Sequence, residues 1–184
     1  MIKKINITLF ILLIISVLCY FTVIQGKSET KVDISLSIAK AYENIDELAN
    51  DSEVIAQVII RETSPMTYLD VPFTISEADV KKTYKGTVLD KSIQILETGG
   101  LINNIQFSAN GHEVFRNNEQ AVVFLKKYEG PIGENLYMIA GIYQGKFKLD
   151  NDTNSTINPI NNAGNMKLEL SELENQINEN STTK

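Results

Sequence analysis

The sequence predicts a mainly β domain, an all-β sandwich or barrel. Six or seven short stretches rich in β-branched and aromatic residues recur at a spacing of roughly 8–15 residues. Gly and Asn residues, which are typical of turns, separate these stretches. Strand follows strand without intervening helices, which distinguishes this pattern from an alternating α/β fold.

A helical segment precedes the strands. Between Leu36 and Asn50, apolar residues recur at helical spacing, and Ser37 is the candidate N-cap. This amphipathic helix is expected to pack on the strands through one stripe of side chains. The stripe contains Ile38, Ala41, Ile45, Leu48 and Ala49.

The first strand is predicted over Glu53–Arg61, where Val54, Ala56, Val58 and Ile60 form one row, and a loop is expected at Ser64-Pro65. Further strands are predicted at Ser92–Glu97, around Ile102–Phe107, and at Ala121–Leu125, Leu136–Tyr143 and Lys146–Leu149. Because Ala121–Leu125 is apolar on both faces, it is expected to be a central strand. Turns are predicted at Lys85-Gly86, Gly99-Gly100, Asn110-Gly111 and Gln144-Gly145.

The second strand changes its apolar parity. Val71, Phe73 and Ile75 alternate, but the next apolar residues are Ala78 and Val80. A strand can change parity only through a bulge or a break. The pattern therefore predicts a bulge near Ser76-Glu77, with all five apolar side chains on one buried face.

The N-terminal segment is a membrane signal. Lys3 and Lys4 precede an apolar stretch from Ile5 to Ile24, and about 20 helical residues span about 30 Å, the thickness of a bilayer core. The lysines favour an inside N-terminus and an extracytoplasmic remainder. An uncleaved anchor is favoured, because the stretch is longer than a signal-peptide core and lacks small residues before a cleavage point. Ordinary cleavage, or lipidation at Cys19, remains an alternative.

The segments on the C-terminal side of the predicted strands differ in composition from the strands. A polar Asn/Thr/Ser linker follows the strands, and Met166, Leu170, Leu173 and Ile177 then repeat at helical spacing. This short helix is expected either to dock on the barrel or to bind a partner. The predicted boundaries are 1–26 for the anchor or signal, 27–35 for a stalk, 36–150 for the β domain, 151–165 for the linker and 166–184 for the helix and tail.

Composition limits the partners. Fifteen basic and twenty-three acidic side chains follow the apolar segment, a net charge of about −8, which disfavours nucleic acid and anionic lipid headgroups. The only cysteine is Cys19, so the extracytoplasmic part has no disulfide. Abundant Ile, Lys and Asn with no Trp is typical of an AT-rich genome, such as that of many Gram-positive bacteria.

The sequence lacks the residues that most catalytic mechanisms require. His112 is the only histidine and is expected to be exposed on a hairpin, so neither a His/Cys zinc site nor a serine triad is predicted. The stretch Asp150–Asn154 begins like a calcium loop, but Ser155 replaces the glycine and Asn161 the final glutamate. No phosphate-binding glycine loop occurs in the sequence. We therefore predict no catalytic residues, no metal site and no cofactor.

The order of the segments resembles the netrin-like domains. The resemblance covers about residues 36–150 and follows the order helix, SEVIAQVIIRE, PFTISEADVKKTYKG, IQILETGG, EQAVVFLKKY and YMIAGIYQGKFKLD. The residues that carry it are Val58, Val80, Tyr84-Lys85-Gly86, Gly99-Gly100, Phe124-Leu125 and Gln144–Phe147. It implies an OB-type Greek-key barrel of five to seven strands, as in tissue inhibitors of metalloproteinases. The chain looks closer still to small exported bacterial proteins of similar layout.

The chain departs from the animal inhibitors in its cysteines. Those inhibitors chelate a protease zinc through an N-terminal cysteine and carry several disulfides, whereas here the predicted extracytoplasmic part has no cysteine. The inhibitory mechanism therefore does not transfer. Aromatic side chains at Tyr84, Tyr128, Tyr137, Tyr143 and Phe147 either pack in the core or form a binding face, as OB-type barrels often have. The binding face predicted for this chain consists of Tyr84, Lys85, Tyr143 and Phe147.

Two functions are consistent with the sequence. The first is a single-pass membrane-tethered, extracytoplasmic binding module without catalytic activity, which recognises an envelope protein or a cell-wall component. The second is a carboxylate-based hydrolase, or an accessory subunit of an envelope enzyme. The hydrolase requires two acidic side chains in one cleft, which sequence spacing neither predicts nor excludes.

Overall fold

A computed structural model describes residues 30–37, 40–149, 157–159, 168 and 173 of the protein. Within these residues the fold is mainly β, with one helix, so the predicted fold class is confirmed at that level. The predicted anchor at 1–26 lies outside them, as does most of the chain after Leu149. No helix in the described part is both long and apolar enough to cross a bilayer.

The secondary structure consists of ten strands and one helix among the described residues. In chain order these are β1 (Thr30–Ile34), α1 (Ile45–Asp51), β2 (Val54–Tyr68), β3 (Val71–Lys85), β4 (Ser92–Thr98), β5 (Gly100–Ile102), β6 (Ile105–Ala109), β7 (Gln120–Lys127), β8 (Leu136–Ile139), β9 (Lys146–Leu149) and β10 (Ile157–Pro159).

The strands form two sheets. A three-stranded sheet has the order β1-β6-β5, and a seven-stranded sheet has the order β10-β9-β7-β2-β3-β4-β8. Strand β8 also pairs with β7, so the pairing returns from β8 to β7 and the five strands β2, β3, β4, β8 and β7 form a partly closed ring. The β4–β8 pair is parallel, and the other pairs in the ring are antiparallel.

Two apolar clusters occupy opposite sides of β7. The interior cluster draws on all five strands of the ring. Its buried members are Val54, Ala56, Val58, Ile60, Ala78, Ile93, Ile95, Phe115, Ala121, Val123, Leu125 and Ile139. The helix-side cluster joins α1 to the other face of β7. Its buried members are Tyr42, Leu48, Ile55, Val122, Phe124, Ala140, Phe147, Leu168 and Leu173.

Strand β7 is central, as its apolar sequence predicts. All five residues from Ala121 to Leu125 are 0% exposed, and the strand pairs with β2, β8 and β9. Val123 and Leu125 face the ring interior, whereas Val122 and Phe124 face the helix side. Burial on both faces explains why the segment lacks the usual apolar–polar alternation.

Helix α1 is shorter than the sequence predicts. It begins after Asn44 rather than Ser37, because the Asn44 side chain accepts a hydrogen bond from the Glu47 amide at 2.9 Å. The Glu47 carboxylate in turn accepts from the Glu43 amide at 3.1 Å. Of the predicted stripe, Leu48 is fully buried in the helix-side cluster and Ile45 and Ala49 pack against it, while Ile38 lies outside the described residues.

Charged side chains hold the end of α1 against β7. The Tyr42 hydroxyl donates to the Asp51 carboxylate, which also lies 3.1 Å from the Lys126 Nζ and 3.3 Å from the Lys40 Nζ. The hydrogen bond from Tyr42, followed by that from Lys126, lowers the pKa of Asp51 to about 2. A carboxylate at a helix C-terminus is otherwise unfavourable, so these partners offset the helix dipole.

Asp51 should make stability dependent on acid pH. Since its pKa of about 2 in the folded protein lies below the usual value of about 3.9, its stabilising contribution is present above pH 4 and is lost as the pH falls towards 2. In Asp51→Asn, urea midpoints measured by circular dichroism should fall less steeply than those of the wild type across this window. Tyr42→Phe should reduce the slope in the same direction. Parallel profiles for wild type and Asp51→Asn would contradict the assignment.

Two short strands occupy segments that were predicted to be irregular. Thr30–Ile34, within the predicted stalk, forms β1, and the Asp33 carboxylate accepts hydrogen bonds from the Ser108 hydroxyl at 2.8 Å and the Gly111 amide at 2.7 Å. Ile157–Pro159, within the predicted linker, pairs with β9 as β10. In both cases a neighbouring strand supplies backbone partners that the local sequence does not indicate.

The expected loop at Ser64-Pro65 and the bulge near Ser76-Glu77 are both wrong. Strand β2 continues through Pro65 to Tyr68, and β3 pairs with β4 without interruption from Phe73 to Asp79. The bulge opposite this region is on β2 at Arg61, while two others on β3 occur at Lys81 and Tyr84. Pro65 is tolerated because, among the described strands, β2 pairs only with β3 at this position.

The turns predicted at Asn110-Gly111 and Gln144-Gly145 are confirmed, whereas Gly99-Gly100 is not a turn but leads from β4 directly into β5. Asn110-Gly111 is a tight turn in which both residues have positive φ, and Gly86 is required because a Cβ would collide with the Glu53 carbonyl. The strand expected around Ile102–Phe107 is instead the β5–β6 hairpin, turning at Asn103 and Asn104 with φ of 51° and 64°.

The C-terminal segment contributes to the core through two described residues. Leu168 is 3% exposed and Leu173 is fully buried, and both belong to the helix-side cluster. Their burial favours docking over the alternative of a free partner-binding segment. The remaining residues of the predicted helix, including Leu170 and Ile177, lie outside the described part.

Candidate functional site

Neighbouring strands of the ring carry apolar side chains on their outer surface. Ile75 of β3 is paired with Leu96 of β4, and Leu96 is paired with Met138 of β8. Directly paired residues project to the same side of a sheet, so these three side chains form one row across three strands. Met66 and Phe73, paired between β2 and β3, form the next row. We call these five residues the apolar face.

The apolar face is accessible at its ends. Met138 is 40% exposed, and Phe73, Ile75 and Met66 are half-buried, while Leu96 at the centre is only 6% exposed. Beyond Phe73, the β2–β3 hairpin continues to the exposed residues Val71 and Leu69. The exposed apolar side chains in this region, Met138, Val71 and Leu69, favour an interaction site here.

The opposite side of β3 is polar, contrary to the prediction. Thr74 and Ser76 point inward and are at most 2% exposed, whereas Val71, Phe73 and Ile75 point outward. The Thr74 hydroxyl donates to the Gly99 carbonyl at 2.9 Å, and a Cβ at Gly100 would collide with the Thr74 hydroxyl oxygen. The close approach of the Gly99–Gly100 backbone therefore requires a short side chain at position 74 on the inner side of β3.

A cleft of about 420 Å³ borders the apolar face. It lies between the β3–β4 loop, the start of β4, and the residues that flank the β7–β8 loop. Its lining includes the side chains Glu77, Asp90, Gln94, Lys127, Asn135 and Tyr137. Because Gln94 is paired with Glu77 on β3 and with Leu136 on β8, the cleft and the apolar face share the same three strands.

A buried ion pair lies inside the ring, away from this cleft. The Lys146 Nζ is 2.6 Å from a Glu97 carboxylate oxygen and donates to the Glu113 carbonyl at 3.0 Å. Only 3% of the Lys146 side chain and 8% of the Glu97 side chain are exposed. Burial lowers the pKa of Lys146, and the Glu97 charge opposes this shift. The amine also lies 3.9 Å from the centre of the Phe115 ring.

His112 and Tyr143 stack beside this pair. Their ring centres are 3.9 Å apart, and His112 is half-buried, which corrects the expected exposed position. Ile142, next to Tyr143, has a φ of 65°, an uncommon conformation for a β-branched residue. The space that these residues enclose with Lys146 is about 20 Å³, enough for about one water molecule. The cluster is therefore too small to be a ligand site.

The four residues of the predicted binding face do not share one surface. Phe147 is fully buried against Phe124, with ring centres 5.4 Å apart, and Tyr84 packs at the edge of the same helix-side cluster. The Lys85 amine donates to the carbonyls of Ala49 and Asn50 at the end of α1. Tyr143 stacks on His112 instead.

The residues of the apolar face were not singled out by the sequence. Alternation correctly marked Phe73 and Ile75 as members of one strand, but apolar residues were assumed to point inward. Tyr137 was considered as part of an aromatic face, and it does line the cleft. The sequence signal for this orientation is the position of Thr74 and Ser76, which alternate with the apolar residues and form the polar inner row.

No group of three His, Cys, Asp or Glu side chains among the described residues is arranged to hold a metal ion. The Asp150–Asn154 stretch lies outside the described part. Neither the protein-family models nor the curated proteins compared with this chain give a match. Its function is therefore inferred from the geometry of the site.

Proposed function

We propose that the chain is a membrane-tethered, extracytoplasmic binding module without catalytic activity, and that its apolar face contacts a protein of the cell envelope. The observation that carries this proposal is the outward row of Ile75, Leu96 and Met138 across three paired strands. A row of large apolar side chains on the outside of a sheet is favourable where a partner covers it.

The partly closed ring is proposed to be an OB-type Greek-key barrel, in keeping with the netrin-like resemblance. The support is the strand order, in which the first strand β2 is followed round the ring by β3, β4, β8 and β7, with a parallel β4–β8 pair. In OB-type barrels the second and third strands carry the binding surface. Here those strands are β3 and β4, which hold Phe73, Ile75 and Leu96.

The membrane location rests on the sequence. The apolar stretch Ile5–Ile24 and the preceding Lys3 and Lys4 support a single-pass anchor with the β domain outside the cell. The net charge of about −8 after the anchor disfavours a nucleic-acid partner, which requires clustered Lys and Arg. An envelope protein is the partner that an apolar surface fits best, since apolar contact needs no opposite charge.

Cross-linking on intact cells tests this function. A membrane-impermeant amine-reactive cross-linker should join the full-length chain to a partner protein, because Lys126 is paired with Met138 beside the apolar face. Met138→Glu should reduce the adduct by about tenfold or more, since placing a carboxylate against an apolar partner surface costs more than the 1.4 kcal/mol that corresponds to a factor of ten.

The matched control is Val32→Glu on β1. Val32 is 39% exposed and Met138 is 40% exposed, so the two substitutions disturb the fold to similar degrees while only one alters the apolar face. Adducts that form equally in both variants would refute the assigned surface. Adducts that form only after cell lysis would refute the extracytoplasmic location.

A carboxylate-based hydrolase is the second candidate function, supported by the presence of Glu77 and Asp90 in one cleft. Glu77 is engaged by Arg61 at 3.3 Å, which favours a structural role for this carboxylate. Turnover of a glycan or peptidoglycan substrate that disappears in both Glu77→Gln and Asp90→Asn would favour the hydrolase over the binding module.

A further inference from the structure

The cleft beside the apolar face has the size of a small-molecule site. Its volume of about 420 Å³ lies within the range of about 300–1,000 Å³ that is usual for ligand pockets. The cleft is concave, whereas the apolar face is a sheet surface, so the two sites are suited to different ligands. The class of ligand follows from the groups that line the cleft.

The lining groups both donate and accept hydrogen bonds. Glu77 and Asp90 supply carboxylate acceptors, Lys127 supplies a donor, and the amides of Gln94 and Asn135 supply both. Among the described residues, the side chains of Asp90, Gln94 and Asn135 have no intramolecular hydrogen bond or ion pair. Their polar groups are therefore available to a ligand.

An aromatic ring completes the lining. Tyr137 is half-buried and packs at the edge of the interior cluster, which fixes its ring while its hydroxyl remains a polar group. Val88, from the β3–β4 loop, adds an apolar contact. A ligand that fills the cleft must therefore combine several hydroxyl-like groups with an apolar surface.

Gln94 and Asn135 occupy neighbouring backbone positions at the cleft. Gln94 is paired with Leu136 in the parallel β4–β8 ladder, and Asn135 directly precedes Leu136. Asn135 has a φ of 58°, a left-handed conformation that Asn tolerates better than most residues. The backbone at both positions is thus held by paired strands and a turn, which limits the ordering cost of binding to the side chains themselves.

The charges exclude other ligand classes. An anion such as phosphate would meet two carboxylates and one lysine, and a purely apolar ligand would leave the amides unpaired. A divalent cation would require a group of acidic or histidine ligands, which the described residues do not provide.

We propose that this cleft binds an uncharged saccharide of one or two rings, as a site distinct from the protein-binding apolar face. Sugar hydroxyls both donate and accept hydrogen bonds, so they match the amide and carboxylate groups of the cleft. The C–H face of a sugar ring packs on an aromatic side chain. The inference rests on the proposed function in one respect only: the extracytoplasmic location determines where the protein encounters such a ligand.

Titration of the purified full-length chain tests the proposal. The chain is held in a sugar-free zwitterionic detergent, and the probes are chitobiose and maltose, with trialanine and glucose 6-phosphate as comparisons. We expect saturable calorimetric binding of at least one neutral oligosaccharide and weaker binding of both comparison compounds. Gln94→Leu and Asn135→Gly should each weaken the binding by about tenfold, the change for one lost hydrogen-bonding group.

The variants are chosen to preserve the fold. Gln94 is exposed, and a glycine in place of Asn135 retains the positive φ while it removes the amide. Met138→Glu, on the apolar face, should leave saccharide binding unchanged. Absence of saturable binding to either oligosaccharide, preference for trialanine, or affinity unaltered in both cleft variants would overturn the proposal. Cross-linking to an envelope protein that persists in those cases would show that only the saccharide site is wrong.

Discussion

Lys146→Met should destabilise the protein by about 3–5 kcal/mol, because it leaves the Glu97 carboxylate buried without its charge partner. Within the described part of the chain, Glu97 would keep only the hydrogen bond from the Phe115 amide at 2.9 Å. The free energy of unfolding is measured by urea denaturation of the full-length chain in mild detergent, followed by circular dichroism. A domain of this size has a total stability of about 5–15 kcal/mol, so the change should be easily resolved.

Two further variants separate the buried charge from simple loss of packing. The double variant Lys146→Met/Glu97→Gln removes both charges and should recover most of the loss, since the side-chain carbonyl of the introduced glutamine can still accept from the Phe115 amide. Lys148→Met breaks a second ion pair, to Glu119, with the same 2.6 Å separation but with 35% of the Lys148 side chain exposed. It should cost no more than about 1 kcal/mol. Equal losses for Lys146→Met and Lys148→Met would show that burial of the pair is unimportant.

Phe124→Ala should cost about 3–5 kcal/mol, comparable with the loss of the buried ion pair. The Phe124 side chain is 0% exposed and contacts Phe147 edge-to-face, so its removal leaves a cavity in the helix-side cluster. Relaxation of the backbone is restricted, because the Phe124 amide donates to the Gly145 carbonyl at 2.8 Å. Urea denaturation gives the difference from the wild type.

The control for this cavity is Tyr128→Ala. Tyr128 directly follows β7 and is half-buried, so loss of its ring should have a much smaller effect. A Phe124→Ala midpoint equal to that of the wild type would contradict the central position of β7. An equal loss in both variants would instead indicate that general packing, rather than a buried aromatic pair, determines stability.

The sequence predicted the structure most accurately in segments where burial produces a pattern within a few consecutive residues. Ala121–Leu125 is a continuous apolar run and is the central strand, and Lys146–Leu149 is β9 as expected. Asn110-Gly111 is a turn because these residue types tolerate positive φ. In each case the physical cause acts within a few residues, so a short window of sequence contains the information.

The candidate site could not be predicted in the same way. Which face of β3 points inward is coupled to the backbone of Gly99–Gly100, about 25 residues away, which closely approaches Thr74 on the inner side. The pairing of Gln94 with Leu136 joins residues far apart in sequence, and so does the ion pair between Lys146 and Glu97. Residue type at each position gives no indication of these partners.

The sequence by itself determined the mainly β class, the strand β7 that is buried on both faces, the turn at Asn110-Gly111 and the acidic charge that disfavours nucleic acid. The tertiary structure alone decided which apolar side chains face outward, where the bulges lie and which polar residues meet in the cleft. The physical reason is that side-chain alternation specifies two faces of a strand without specifying which one is buried. That choice depends on the strands that pack against it.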